Sequence, residues 1–203
     1  MKKVFIIAAV LIVALPMAHA TTYWFTGTSS GPTYTYSGVT LAGYGSESGA
    51  GTSTLSGTAS SVVYDSYGAG VAATTPYVTN TSFLVVDFSS PTQLANHSTV
   101  DVYLDNVSDG YYIYGGTSTF PSLSYTGLTV LAKLLSGGPP AGGIANVAIA
   151  LTASYNYLII SAAPACHLNV EYITTNAPEP GTFVMAGMAL IGLGMALRKA
   201  RKG

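Results

Sequence analysis

The chain has 203 residues, a formal net charge of −1 and only 7% charged residues. Between Thr21 and Ala177 a single basic side chain, Lys133, stands against seven acidic ones, so this middle portion carries about six negative charges. Phosphate binding needs a basic face, and its absence here argues against nucleic acid as a partner. The single cysteine, Cys166, excludes an internal disulfide.

The first 20 residues have the three parts of a secretory signal peptide. Two lysines precede an apolar run over 4–15, and Ala18-His19-Ala20 has the small-x-small pattern of a cleavage site. The apolar run is shorter than the roughly 20 residues that span a bilayer. We therefore expect a signal helix that signal peptidase removes by cutting after Ala20; an N-terminal membrane anchor is the alternative.

Strand signals begin in the first half of the middle portion. Residues 26–58 are rich in Gly, Ser, Thr and Tyr, and Tyr34-Thr35-Tyr36 alternates as a strand does. The aromatic and β-branched residues favour sheet over disorder. Residues 82–88 form an apolar run that ends before Pro91, which predicts a strand buried on both faces.

The next segment predicts a hairpin. Val100, Val102 and Leu104 alternate with polar residues, which is typical of a half-buried strand. Asp109-Gly110 then predicts a tight turn into a second strand over 111–114. Four tyrosines would cluster around this hairpin through cross-strand contacts: Tyr103, Tyr111, Tyr112 and Tyr114.

The remaining segments complete a mainly β fold. Residues 128–135 suit either a short helix or a buried strand, and the Gly- and Pro-rich stretch 137–143 predicts a loop. Further strands are predicted over 144–151, 155–160 and 167–173, the last with Leu168, Val170 and Tyr172 on one face. Many short strands between turns predict an antiparallel β-sandwich or jelly-roll-like domain over 21–176.

The C-terminal residues have a stop-transfer pattern. Residues 182–197 are apolar and uncharged, and a basic cluster over 198–202 follows, made of Arg198, Lys199, Arg201 and Lys202. As a transmembrane helix this stretch covers about 24 Å, less than a hydrocarbon core of about 30 Å, so snorkelling or local thinning makes up the difference. The basic cluster predicts a cytoplasmic C-terminus. A buried core helix with a basic end is the alternative.

Pro178-Glu179-Pro180 stands immediately before this helix. The order of Pro-Glu-Pro, short Gly/Ala/Leu/Met helix and terminal Arg/Lys cluster resembles the PEP-CTERM sorting signal of Gram-negative bacteria, over residues 177–202. The resemblance implies transient anchoring in the inner membrane and processing by an exosortase, a membrane-embedded cysteine transpeptidase, near Pro178, Glu179 and Pro180. It also implies a destination at the cell surface or in an extracellular matrix with exopolysaccharide. The two prolines keep the motif extended and accessible.

Three acidic residues are close in sequence: Asp101, Asp105 and Asp109. Carboxylate oxygens are ligands that calcium prefers, and Asp101 and Asp105 share a strand face. The spacing does not match an EF-hand loop, so solvated strand and turn acids are the other interpretation. No cofactor is predicted.

No catalytic constellation stands out. Cys166 is adjacent to His167, but neighbouring strand residues point to opposite faces, which is the wrong geometry for an activated thiolate. His97 is isolated in the sequence. A secreted hydrolase would require one of the three aspartates to meet Glu47 or Glu171 in a cleft.

These observations lead to one main hypothesis and two rivals. The main hypothesis is a non-catalytic exported protein of the cell surface or extracellular matrix, linked to exopolysaccharide or biofilm. The first rival is a carbohydrate-binding module, because tyrosine rings stack on sugars while their hydroxyls hydrogen-bond them. The second rival is the secreted hydrolase.

Overall fold

The computed structural model of the protein describes residues 20–25, 31–36, 38–71, 77–88, 94–108, 110–118, 120–135 and 143–176. Fifteen β-strands form within these ranges: β1 (Ala20–Trp24), β2 (Thr33–Tyr36), β3 (Val39–Ser48), β4 (Leu55–Ser60), β5 (Val62–Asp65), β6 (Gly68–Val71), β7 (Val78–Thr79), β8 (Ser82–Phe88), β9 (Thr99–Val107), β10 (Tyr111–Gly116), β11 (Ser124–Tyr125), β12 (Thr129–Leu134), β13 (Gly143–Ala150), β14 (Tyr157–Ala162) and β15 (His167–Asn176). No helix in the same ranges is long and apolar enough to be a candidate membrane span. The predicted transmembrane helix and, apart from Ala20, the predicted signal helix fall outside them.

The strands form two antiparallel sheets. Sheet 1 has the order β13-β9-β15-β6-β5, and β1 and β7 also pair with β15. Sheet 2 has the order β11-β4-β3-β8-β14-β10-β12, and β2 also pairs with β3. A central core of buried side chains from both sheets lies between them, including Leu84, Leu104 and Ile160. The predicted antiparallel β-sandwich is confirmed.

Most strand predictions are confirmed because they rest on local patterns. β8 is buried along its whole length except at Asp87, as the unbroken apolar run predicted. β9 alternates between buried and half-buried residues. The ambiguous stretch 128–135 contains a strand, β12, at the edge of sheet 2.

The predicted hairpin is wrong. β9 pairs with β13 and β15 in sheet 1, whereas β10 pairs with β12 and β14 in sheet 2. The connection between them crosses from one sheet to the other, and Asp109 lies outside the described residues. Gly110 is required there for a close approach, because a Cβ atom on it would lie 2.4 Å from the carbonyl oxygen of Leu134. An Asp-Gly pair indicates a change of direction and does not determine which strands pair.

A one-residue bulge in β15 overturns the predicted face of Tyr172. Val170 is opposite Leu104 of β9, and Tyr172 is opposite Tyr103, so Glu171 is the extra residue. Leu168 and Val170 point into the central core, as does Ile173 after the bulge. Because the side-chain period of a strand is two, the inserted residue moves Tyr172 to the outer face.

The outer face of sheet 2 carries a second core. Tyr44, Phe83, Tyr114 and Tyr157 alternate along their strands with members of the central core, and they pack with Tyr125 and Leu128. The segment 120–128 covers these rings. Several of their hydroxyl groups are paired inside the cluster: the hydroxyl of Tyr125 donates to that of Tyr44 over 2.9 Å.

Candidate functional site

The outer face of sheet 1 carries a row of three aromatic side chains, Trp24, Tyr172 and Tyr103, called the aromatic row below. They occupy facing positions on the adjacent strands β1, β15 and β9. The ring centroids of Trp24 and Tyr172 are 4.5 Å apart, and those of Tyr172 and Tyr103 are 4.6 Å apart. Trp24 is 48% exposed, so the row is open to solvent at this end.

The positions of the three rings follow from strand periodicity. Tyr23 and Phe25 are buried in the central core, which turns Trp24 outward. Val102 and Leu104 likewise turn Tyr103 outward. Tyr172 joins the other two only because the bulge at Glu171 reverses the parity of its strand.

The aromatic row is a ridge and not a flat platform. The rings of Tyr172 and Tyr103 are stacked on each other with planes 13° apart, so each covers a face of the other. Strand side chains stand roughly perpendicular to their sheet, so ring edges and phenol hydroxyls are what the two tyrosines present to solvent. Trp24 is tilted by 46° to Tyr172. The ridge therefore offers apolar edges, two hydroxyl groups and an exposed indole.

The surface beside the ridge consists of short polar side chains. Thr22, Thr174 and Asp101 occupy the next row of facing positions on the same three strands. The Thr22 and Thr174 hydroxyls hydrogen-bond each other over 2.9 Å. In the row after that, the side-chain amide of Asn176 donates to the Thr99 hydroxyl over 3.2 Å. Because these side chains are short and polar, the aromatic row protrudes from a hydrophilic face.

Acidic groups flank the aromatic row. Partial desolvation, together with the neighbouring charges of Glu171 and Asp105, raises the pKa of Tyr103. Desolvation and the charge of Asp105 also raise the pKa of Glu171. The strand register places the two acids close together: Glu171 is the bulge residue opposite the Tyr103–Leu104 step of β9, and Asp105 follows Leu104 directly. The sequence could not single out this pair, since 66 positions separate the two residues and the bulge sets their proximity.

The other acid considered at the sequence level, Glu47, lies in sheet 2, so the sandwich separates it from the aromatic row. The hydroxyl oxygen of Ser161 is 2.8 and 2.9 Å from the two carboxyl oxygens of Glu47. Desolvation by burial, partly offset by this hydrogen bond, raises the pKa of Glu47 to about 8. A serine hydroxyl has one proton to donate, so a protonated carboxyl group fits both contacts: it accepts one hydrogen bond and donates the other.

The four tyrosines predicted to cluster around one hairpin are in different sheets. Tyr114 is fully buried in the second core, where its hydroxyl accepts a hydrogen bond from the Gly51 amide over 2.7 Å. Tyr111 and Tyr112 are half-buried on β10. Of the four, only Tyr103 belongs to the aromatic row. Sequence reasoning missed Trp24 and placed Tyr172 on the wrong face.

The calcium candidates are only partly described. Asp101 and Asp105 share the outer face of β9, with Tyr103 between them, and Asp109 lies outside the described residues. Where the structure is described, no group of three or more His, Cys, Asp or Glu side chains could hold a metal ion. Calcium binding stays a prediction.

The histidine and cysteine positions form no catalytic pair within the described part of the chain. Cys166 is buried, and its thiol lies 3.3 Å from the carbonyl oxygen of Pro164. The His167 ring packs against Tyr77, with centroids 5.0 Å apart. His97 is exposed in a turn, where its amide donates to the carbonyl oxygen of Leu151.

Among solved structures, the sandwich is similar to a class of carbohydrate-binding β-sandwiches. CBM29_1, a family 29 carbohydrate binding module from Piromyces equi, matches with a TM-score of 0.50 and 7% identity over 79% of this chain and 91% of that module. The xylan-binding module CBM15 matches with a TM-score of 0.49 and 12% identity over 79% of this chain and 97% of that module. At such low identity the likeness is one of fold.

The C-terminal residues match a sorting motif. The family model of the PEP-CTERM protein-sorting motif matches residues 176–202, which confirms the resemblance seen in the sequence. The chain therefore carries the signal of an exported protein that is sorted to the cell surface and processed by an exosortase. No curated protein matches the chain.

Proposed function

We propose that this chain is a non-catalytic protein of the cell surface or extracellular matrix whose sandwich binds polysaccharide through the aromatic row. The observation that carries the proposal is the exposed ridge of Trp24, Tyr172 and Tyr103 on a face of short polar side chains. Sugar rings combine apolar C–H faces with hydroxyl groups. Tyrosine and tryptophan match both properties, because each has an apolar ring and a polar tip.

A purely structural role is the alternative for these rings. Cross-strand aromatic pairs stabilise a sheet by roughly 0.2–1 kcal/mol each. Such a role does not require a tryptophan that is 48% exposed at the end of the row. The similar sandwich from Piromyces equi is called a carbohydrate binding module, which supports the proposal by analogy of fold alone.

The processing steps belong to the same proposal. Signal peptidase cuts after Ala20, the helix over 182–197 holds the chain transiently in the inner membrane, and the basic cluster over 198–202 stays cytoplasmic. An exosortase then cuts near Pro178-Glu179-Pro180. β1 begins at Ala20 and β15 ends at Asn176, so both cuts leave residues 21–24 paired with β15. This supports the two positions as domain boundaries.

A binding experiment tests the function directly. The mature protein is purified from its native host, and its affinity for an array of polysaccharides and oligosaccharides is measured. We expect Trp24→Ala to weaken binding at least tenfold, because it removes the exposed end of the ridge. The control is Leu123→Ala, since Leu123 is also an exposed apolar side chain, at 59%, but lies in the segment 120–128 on sheet 2.

Two results would contradict the proposal. One is that the wild-type protein binds no glycan. The other is that Trp24→Ala and Leu123→Ala have the same effect, which would show that the aromatic row is not the binding site.

The register of β9 and β15, which brings Asp105 and the bulge residue Glu171 together, favours a secreted glycoside hydrolase as a second candidate function. Paired carboxyl groups flanking a sugar can act as general acid and nucleophile or base. Release of new reducing ends from a bound polysaccharide, abolished by Glu171→Gln, would establish hydrolysis. Binding without release of reducing ends supports the non-catalytic function.

A further inference from the structure

We propose that the aromatic row is selective for a polysaccharide that carries free amino groups, such as an N-deacetylated amino-sugar polymer. This inference rests on the proposed function and names the class of ligand that the same face takes. The negative charges around the ridge support it, because they favour a cationic ligand, which the aromatic rings alone do not select.

The face has a consistent negative charge. Asp101 and Asp105 lie on the same side of β9 as Tyr103, and Glu171 lies in the bulge beside Tyr172. Lys133 is the one basic side chain between Thr21 and Ala177, and it lies on β12, in the other sheet. A polymer of uronic acids or sulfated sugars would be repelled from this face, whereas a cationic polymer would be attracted.

The acids and the tyrosine hydroxyls suit the same cation. Asp105 and Glu171 repel each other, and this repulsion contributes to the raised pKa of Glu171. An ammonium group placed beside them would offset the repulsion and pair with both carboxylates. The phenol hydroxyls of Tyr103 and Tyr172, which face solvent beside these acids, can accept hydrogen bonds from the same ammonium group. A neutral sugar would contact the rings and their hydroxyl groups but would gain nothing from the two carboxylates.

The sharpest test compares two ligands that differ only in the amino group. The probes are β-1,4-glucosamine oligosaccharides and the same oligosaccharides after full N-acetylation, measured against the mature protein at low and high salt. We expect the amino form to bind at least tenfold tighter at low salt. This preference should fall as the salt concentration rises, since exposed charges are then screened.

Charge-removing variants test which residues cause the preference for the amino form. Asp105→Asn combined with Glu171→Gln keeps the size of both side chains and removes their charge. We expect this variant to lose the preference for the amino form, so that the amino and acetylated forms bind with similar affinity. Asp87→Asn is the matched control, because it removes one negative charge from β8, in the other sheet. It should keep the preference.

The outcomes separate this inference from the proposed function. Equal binding of both forms, with both weakened by Trp24→Ala, would overturn amino-group selectivity and leave saccharide binding intact. Binding of a polyuronate in the presence of calcium, reversed by a chelator, would also overturn it. If neither form binds and no other glycan does, the proposed function fails as well.

Discussion

The outer faces of the two sheets carry the same kinds of side chain and use them differently. On sheet 2, Tyr44, Phe83 and Tyr157 are buried under the segment 120–128, which adds the ring of Tyr125. On sheet 1, Trp24, Tyr172 and Tyr103 stand on the outer face of β1, β15 and β9, where Trp24 is 48% exposed. Alternating aromatic residues therefore indicate that one face of a strand is apolar. Whether that face becomes core or binding surface depends on whether another segment of the chain packs over it.

The two faces also differ in what their hydroxyl groups contact. In the second core, the Tyr125 hydroxyl accepts from the amide of Ser122 over 3.1 Å and donates to Tyr44 over 2.9 Å. These buried groups are satisfied within the protein, as burial requires. The hydroxyl groups of the aromatic row lie at the surface, where a ligand can replace water as their partner.

The largest expected effect is on stability, from truncating the centre of the second core. Tyr125 is fully buried and lies edge-on against Tyr44, Phe83 and Tyr157. We expect Tyr125→Ala to lower the free energy of unfolding by roughly 3–5 kcal/mol, because it leaves a cavity and removes the partner of the Tyr44 hydroxyl. Urea unfolding measures the loss.

The matching substitution on the open face is Tyr103→Ala, with an expected loss of about 1 kcal/mol or less, the range of a cross-strand aromatic pair. Equal losses at the two positions would contradict the distinction between a core face and a binding face.

The next largest effect is the dependence of stability on pH. Burial raises the pKa of Glu47 from its ordinary value of 4.5 to about 8, so the folded state holds this proton more tightly than the unfolded chain. The free energy of unfolding is therefore greatest below pH 4.5 and falls until the pH passes about 8. A difference of one pKa unit between the folded and unfolded chain corresponds to about 1.4 kcal/mol of stability. Because Glu47 keeps some exposure to solvent, we expect the free energy of unfolding to fall by roughly 2–4 kcal/mol in total.

Thermal unfolding between about pH 4 and pH 9 tests this dependence. Glu47→Gln should flatten most of the fall, because glutamine does not ionise and can still hydrogen-bond the Ser161 hydroxyl. Asp65→Asn, which changes an acid at the end of β5, serves as the control. An undiminished fall in Glu47→Gln would assign the dependence to other groups.

The sandwich could be predicted from the sequence because its strands have strong local patterns. The unbroken apolar run of β8 and the alternation in β9 are properties of single segments. The hairpin prediction failed because the pairing of β9 and β10 depends on contacts with strands far away in the sequence. No local signal distinguishes a turn within one sheet from a crossing between two.

The candidate site was less predictable for two physical reasons. Trp24 stands between Tyr23 and Phe25, and three consecutive aromatic residues give no contrast between the inner and outer faces of a strand. Tyr172 follows a bulge, and one inserted residue reverses which face each later side chain occupies. Tyr103 was named through the hairpin prediction, which is wrong, whereas the alternation with Val102 and Leu104 that turns it outward was predicted correctly.

The smallest expected effect isolates one hydroxyl group of the open face. Tyr103→Phe keeps the ring that stacks on Tyr172 and removes only the phenol oxygen. Desolvation and the charges of Glu171 and Asp105 raise the pKa of Tyr103, so the hydroxyl stays protonated at neutral pH and can donate to a sugar oxygen. We expect the free energy of unfolding to change by less than about 0.5 kcal/mol and saccharide affinity to fall by about 1 kcal/mol, or roughly fivefold.

Calorimetric titration and urea unfolding of the same preparation measure the two quantities, with Tyr112→Phe on β10 of sheet 2 as the control. An unchanged affinity would mean that the ridge binds sugars through ring contacts alone. A loss of stability larger than the loss of affinity would instead assign the Tyr103 hydroxyl a structural role. The outer face of sheet 1 would then resemble the buried outer face of sheet 2.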